Sequence, residues 1–309
     1  MGAKKVLIVH YASASGQLTE VLRHLSAPLA EADGIELRHL ILRPLKPYPF
    51  PWPILRFFDT FPEAIYLDAP PLEPLGLDPG ERFDLVILGY QVWFLAPSLP
   101  TTAFLKGPEA RAVLKDTPLV SVIACRDMWL MAQERVKELM AACGARLIGN
   151  VVLVDEAGSI GSFLATPLWM LSGTRGPRFG GLLPRAGVKP EQIRDSRRFG
   201  VRMAEALNRG EPLDSGLLRG LGAVRVNTRL IATEKAARRS LLAWGALLRA
   251  LGPQGAWTRQ PIVVIYIGFL ITLLLTVLPV SALFKTLAAP LLRKHIAAQQ
   301  AYFGARSGK

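Results

Sequence analysis

Four stretches of this chain are apolar almost without interruption and short for helices: 4–11 (KKVLIVHY), 83–90 (FDLVILGY), 118–126 (PLVSVIACR) and 145–155 (ARLIGNVVLVD). A fifth, 34–42 (GIELRHLIL), alternates as a strand does. Strands that are apolar on both sides belong to a parallel sheet covered on both faces. Between them lie helical patterns at 17–32, 100–114, 132–144 and 190–210, the last with Pro near its start and Gly at its end. Strand and helix alternate, which predicts an α/β, doubly wound architecture. Two irregular insertions interrupt it. Ten prolines fall between Pro44 and Pro79, around the aromatic run PYPFPWPILRFFDTF, and a Gly-rich stretch runs to about Lys189. There is no internal repeat.

At 309 residues the length prior favours about two domains. The charge locates a division. From Arg225 to Lys309 there are 12 Lys/Arg and one acid, Glu234, a net +11 that leaves +2 of the chain's +13 for the rest. The reading is a domain over 1–210 with its insertion at 44–79, a Gly/Pro/Leu linker over 211–224, and a basic tail over 225–309. That tail holds 25 uncharged residues, Gln260 to Phe284. Ile262–Phe284 as a helix is roughly 35 Å at about 1.5 Å per residue, against a hydrocarbon core of about 30 Å. The expectation is a C-terminal hydrophobic helical membrane segment over 262–284, with a buried core helix as the alternative. Pro279 allows a bent or re-entrant form. Arginines and lysines flank both sides, so the positive-inside rule gives no orientation, and a monotopic insertion fits equally. RSLLAWGALLRAL and LLRKHIAAQQAYF read as basic amphipathic helices for the lipid interface. The N-terminus lacks a signal-peptide pattern. Two cysteines, Cys125 and Cys143, fit a reducing compartment. The expected location is membrane-associated, with the folded domain facing the cytoplasm.

In open α/β sheets ligands sit beyond the carboxyl ends of the strands. Three such ends carry distinctive loops. In VHYASASGQLTE (9–20), Ser13, Ala14, Ser15, Gly16, Gln17 and Leu18 lead into a helix N-terminus, which favours an anion. An ordinary N-cap turn uses the same residues. In LGYQVWFLAPSLPTTAFL (88–105), Tyr90, Gln91, Val92, Trp93 and Phe94 follow the strand, and Trp93 offers a flat face for stacking or else a core ring. In ACRDMWLMAQE (124–134), Cys125, Arg126, Asp127, Met128 and Trp129 close the fourth strand. Arg126 and Asp127 are site charges or a solvated turn. No GxxxxGK[ST], GxGxxG or GxSxG occurs, and His10, His24, His39 and His295 lack metal-ligand spacing.

These loops resemble those of flavodoxin-like FMN proteins. Tyr11, Ser13, Ser15 and Gly16 match the phosphate loop; Gly89, Trp93, Pro97, Pro100, Phe104 and Leu105 match the second loop. His10, Leu18 and Gln91 depart from the pattern. The resemblance covers residues 4–210. It implies a five-stranded parallel sheet of order 2-1-3-4-5, FMN as cofactor, and a cofactor site at the residues named in the three loops. No catalytic group is fixed; Asp127, Arg126 and His10 are candidates by position alone.

A narrower resemblance, carried by YASASGQLTEVL, IACRDMWLMAQE and RKHIAAQQAYF, is to flavodoxin-like proteins of dialkylresorcinol biosynthesis. These are sometimes called condensing enzymes, although Cys125 has no partner His of the kind condensation needs. That resemblance implies an FMN oxidoreductase acting on a lipophilic quinone-like or alkyl-cyclic diketone, an aromatase-type step. Expected partners are that substrate, membrane lipids, and a reductant or biosynthetic partner enzyme. A homodimer is a further expectation; nucleic acid is not expected. The alternative is a membrane-tethered assembly protein of flavodoxin shape without FMN.

Overall fold

Strands β1 (Lys4–Tyr11), β2 (Ile35–Leu42), β3 (Leu85–Tyr90), β4 (Pro118–Cys125) and β5 (Arg146–Val154) form one all-parallel sheet in the order 2-1-3-4-5. This is a computed structural model, describing residues 2–155 and 158–288, with side chains except at 158–163, 229, 274 and 277–288. The apolar runs are the reason for the sheet: Val6, Leu7, Ile8, Val9 and Leu85 to Leu88 are wholly buried, so both faces are covered. The chain reverses direction of growth between β1 and β3, which puts a switch point at their carboxyl ends.

Helix α1 (Gln17–Glu31) presents Leu18, Val21, Leu22, Leu25 and Leu29 to the core, the spacing of one helical face. Helices α2 (Ile54–Phe58) and α3 (Phe61–Tyr66) lie in the Pro-rich insertion; α4 (Leu99–Lys106), α5 (Pro108–Leu114) and α6 (Leu130–Ala142) follow β3 and β4. Next come α7 (Gly158–Ser172), α8 (Pro190–Asp195) and α9 (Arg197–Arg209), the last two packed on α1. The segment 211–224 lies against the edge of the sheet: Leu217, Leu218, Ala223 and Val224 are buried in the main core, and Val152 N–H donates to Ala223 O at 2.8 Å.

The tail forms α10 (Ile231–Ala250) and α11 (Gln260–Ala288). It docks on the insertion. Arg259, buried, pairs with Asp59 (3.4 Å) and Glu63 (2.8 Å), and its Nε donates to Leu248 O and Gly252 O. Asp59 also accepts from Gly255 N–H at 2.6 Å, and Tyr66 Oη donates to Leu242 O at 3.0 Å. Phe61, Ile65, Leu241, Leu248, Val263 and Tyr266 share a second core around this network.

The expected membrane segment over 262–284 is corrected here. Among the described residues no helix is long and apolar enough to cross a membrane. The physical reason lies in the docking. Val263 and Tyr266 are buried against the insertion, so the first turns of α11 are part of a protein core. The side chains at 274 and 277–284 of the expected segment, and the stretch LLRKHIAAQQAYF with His295, lie outside what is described.

Candidate functional site

The first loop turns tightly. Gly16 N–H donates to Ser13 O at 2.9 Å, Ser13 N–H to Tyr11 O at 3.1 Å, and the Ser13 and Ser15 hydroxyls are 2.9 Å apart. Gly16 has φ +70°, a left-handed conformation that suits glycine, and a Cβ there would meet nothing within 4 Å. The first N–H groups of a helix have no intrahelical acceptor, and no side chain of the N-cap residue serves those of α1. Gln17 points inward instead, its Oε1 accepting from Val188 N–H at 2.9 Å. A Cβ on Gly187 would come within 2.2 Å of that oxygen, so the segment after α7 lies hard against the loop. Arg175, on the same segment, donates from Nη2 to Ser15 O at 3.2 Å.

His10 lies below α1. It is buried, its Nε2 lies 3.3 Å from Thr19 Oγ1, and its Nδ1 has no hydrogen-bond partner. Burial, with a smaller contribution from His39, lowers its pKa to about 4, so the ring is neutral near pH 7.

The second loop is a two-stranded ribbon, Val92–Trp93 against Ala96–Pro97. Its turn residues Phe94 and Leu95 both have positive φ, +51° and +61°. Non-glycine residues there cost about 1–2 kcal/mol each. Burial offsets this: Leu95 is in the second core, and the Phe94 ring lies 5.0 Å from Phe57 and 5.9 Å from Phe61. Gln91 ties this loop to the first, its Nε2 donating to Ser13 Oγ (2.8 Å) and Tyr11 O (3.4 Å) while its Oε1 accepts from Trp93 Nε1 (3.1 Å). Half-buried Trp93 meets Tyr11, Tyr48 and Trp52 edge to face at 6.0, 4.9 and 5.7 Å. The Pro-rich insertion thus closes over the ends of β1 and β3. From Trp52 the ring contacts continue through Phe57 and Phe58 to Tyr266 of α11.

Tyr90 faces the interior. Its hydroxyl donates to Gln133 Oε1 at 2.5 Å, and Gln133, Ser121 and Asn150 continue a buried chain of hydrogen bonds. Leu18, Cys125, Met128 and Trp129 are also buried in the core, so their side chains are committed to packing.

The third loop is held by the tail. Asn227 Nδ2 donates to Asp127 Oδ2 at 2.6 Å, and Glu234 of α10 accepts from Met131 N–H at 2.6 Å, at the N-terminus of α6. Glu234 is wholly buried and its Oε2 has no hydrogen-bond partner. Burial raises its pKa to about 7, against the pull of the backbone N–H groups. Arg126 is half-buried; desolvation lowers its pKa to about 10 while Asp155 opposes the shift. Burial, with Glu234 and Asp127 adding, pushes the Cys125 thiol well above its ordinary range. That is an inert thiol, unsuited to condensing chemistry. Asp155, past the end of β5, accepts from Thr166 Oγ1 (2.9 Å) and Gly187 N–H (3.0 Å).

Ser13 to Gly16, Gln91 and Trp93 therefore come together at the switch point, and Asp127 of the third loop is held by Asn227 of the tail. Sequence reasoning did not find Arg175, Tyr48, Trp52, Asp155 or Glu234. Glu234 had a signal, as the lone acid of the basic tail; Arg175, 160 positions from Ser15, had none. Two concavities lie elsewhere. One of about 510 Å³ sits at the amino ends of β3 and β4 beside Asp84, Lys115 and Thr117, and one of about 230 Å³ sits along β2 beside His39 and Arg43.

No family model matches this chain, and no curated protein matches it. Solved structures similar to it include a flavoprotein in complex with FMN from Lactobacillus acidophilus NCFM, 20% identical over 48% of this chain and 93% of that one, with a TM-score of 0.39. Another is a flavodoxin from the domain Archaea, 11% identical over 66% of this chain and 99% of that one, with a TM-score of 0.36. The fold class follows from the strand order itself: five parallel strands, doubly wound, in the flavodoxin-like order 2-1-3-4-5.

Proposed function

We propose that the carboxyl edge of the sheet binds FMN and that the protein is a flavin-dependent oxidoreductase. One observation carries this reading: the N-terminus of α1 stands without a side-chain cap at the switch point, beside Trp93. The residues fit the group. Open space at Gly16, the uncapped first N–H groups of α1 and the hydroxyls of Ser13 and Ser15 suit a phosphate. Half-buried Trp93 and Tyr48 supply flat apolar faces for the ring. When bound, a flavin accepts or delivers hydride and single electrons. This chain would position it, and the insertion carrying Tyr48 and Trp52 would keep water from the ring. His10 is sealed beneath α1 and Asp127 is engaged with Asn227, so neither is given a proton-transfer role.

The substrate we propose is a lipophilic ring, quinone-like or an alkyl-cyclic diketone as in dialkylresorcinol aromatisation. The aromatic walls favour such a molecule over a charged one. We further propose peripheral attachment to the cytoplasmic leaflet, lying on the bilayer. Val264, Ile265, Ile271 and Leu275 on α11 and Trp257 before it are exposed, and the tail sequence is basic. A reductant or biosynthetic partner would complete the electron path.

The test is the visible absorbance of the purified full chain before and after reconstitution with FMN. A flavin band that survives desalting is expected; its absence after reconstitution contradicts the reading. A second reading, an assembly protein of flavodoxin shape, is favoured by Gln91, which draws the two loops together through Ser13 and Tyr11. It predicts no flavin uptake.

A further inference from the structure

The segment after α7 folds back on itself and then on α1. Ala186 N–H donates to Arg175 O at 2.7 Å, which sets Arg175 and Arg185 on neighbouring strands of this turn. Val188 N–H to Gln17 Oε1 and Gly187 N–H to Asp155 Oδ2 fasten the turn to the start of α1 and the end of β5. Arg175 is half-buried and fixed in orientation. Its guanidinium lies 4.8 Å from the centroid of the Trp169 ring, itself buried, and Nη2 donates to Ser15 O. A guanidinium has several N–H donors in one plane, so the bond to Ser15 leaves others for a ligand.

The electrostatics are lopsided. Burial and the charge of Arg185 both disfavour the Arg175 cation, and Glu20 opposes them. The positive end of α1 adds to the same side of the balance. Arg175 and the N-terminus of α1 meet at one loop, with Arg185 near enough to act on Arg175, and a dianion relieves the repulsion among them. A neutral ligand relieves none.

We propose that Arg175, supported by Arg185, makes this site selective for a phosphate monoester dianion, so that FMN is held and riboflavin is not. The proposal rests on the FMN reading above and adds the residue that discriminates between the two flavins. Arg175 reads the charge, while Trp93 and Tyr48, which meet the ring, do not distinguish them.

The experiment titrates the full-length apoprotein with FMN and with riboflavin, following quenching of flavin fluorescence. Wild type is expected to prefer FMN. Arg175→Gln should weaken FMN about 10- to 100-fold, the range for loss of a charge-assisted hydrogen bond, and leave riboflavin unchanged. Arg175→Lys, which keeps the charge without the fork, should fall between. Arg185→Gln, at an exposed position, should cost a few-fold. Unchanged FMN affinity in Arg175→Gln overturns the proposal, and so does an equal loss for both flavins, which would mark Arg175 as a loop support only. Inorganic phosphate provides a separate arm. It should raise the melting temperature of wild-type apoprotein and not that of Arg175→Gln. If wild type takes up neither flavin, the FMN reading fails while the phosphate arm still decides on Arg175; a phosphate shift that persists in Arg175→Gln, or is absent from wild type, overturns the assignment.

Discussion

Helices α1 and α6 both begin at the carboxyl edge of this sheet, and their N-termini are finished in opposite ways. At α6 the tail supplies the acceptor: Glu234 reaches across from α10 and accepts from Met131 N–H in a fully buried setting. At α1 no such side chain arrives among the described residues. The N-cap residue is Gly16, and the nearby charges are Glu20 in the first turn and the arginines of the turn after α7. The orphan N–H groups at a helix start need an acceptor in either case. One end has its acceptor from within the chain; the other, in the reading proposed here, takes one from outside. On that reading one loop after a parallel strand is a structural junction and the other a binding site.

The largest expected effect is on the junction. Arg259→Met leaves Asp59 and Glu63 buried without their cation, a loss of about 3–5 kcal/mol of stability. Because Arg259 secures the tail that brings Glu234, denaturation should show this loss while FMN affinity of the folded fraction holds.

Glu234→Ala should cost about 2–3 kcal/mol, since it strands buried N–H groups at α6. The pH dependence of this end has a definite sign. Glu234 has its pKa raised from 4.5 to about 7 in the folded protein. Its contribution is therefore fully present below pH ~4.5 and is lost as pH rises through ~7. Glu234→Gln, neutral at every pH, should remove that alkaline decline in a series of urea melts.

The α1 end should weaken in acid instead. His10 has a folded pKa of about 4 against an ordinary 6.5. Its contribution is present above pH ~6.5 and is lost as pH falls through ~4, up to about 3 kcal/mol. His10→Leu should flatten this acid limb and leave the alkaline one in place. The smallest effect is expected at Gly16, where Ala at φ +70° costs about 1 kcal/mol. Calorimetry should detect it without loss of fold.

Much of the scaffold was readable because its signals are local. KKVLIVHY and FDLVILGY state by composition that they are covered on both faces, and α1 states its core face by spacing. The first two loops were readable because their residues adjoin the strand ends that position them. What escaped depends on contacts across long separations. Tyr90, Met128 and Trp129 lie beside the site in sequence but turn into the core. Tyr48 and Trp52 come from an insertion whose sequence fits a wall or lid over the site and a bland surface loop equally; it is their contacts with Trp93 that show where they lie. The apolar tail misled for a related reason: a run of Ile, Val and Leu looks the same whether it meets lipid or, as Val263 and Tyr266 do, a protein core. The buried Arg259, pairing with Asp59 and Glu63 of the insertion, helps to distinguish the two.

The central claim, that α1 and not α6 receives an anion from outside, is tested most directly by titrating the isotope-labelled full chain with FMN and following backbone amides. The account predicts large shifts at Ala14, Ser15, Gly16, Gln17 and Leu18, with Leu130 and Met131 unmoved. Shifts confined to Leu130 and Met131, or none at the start of α1, would contradict it.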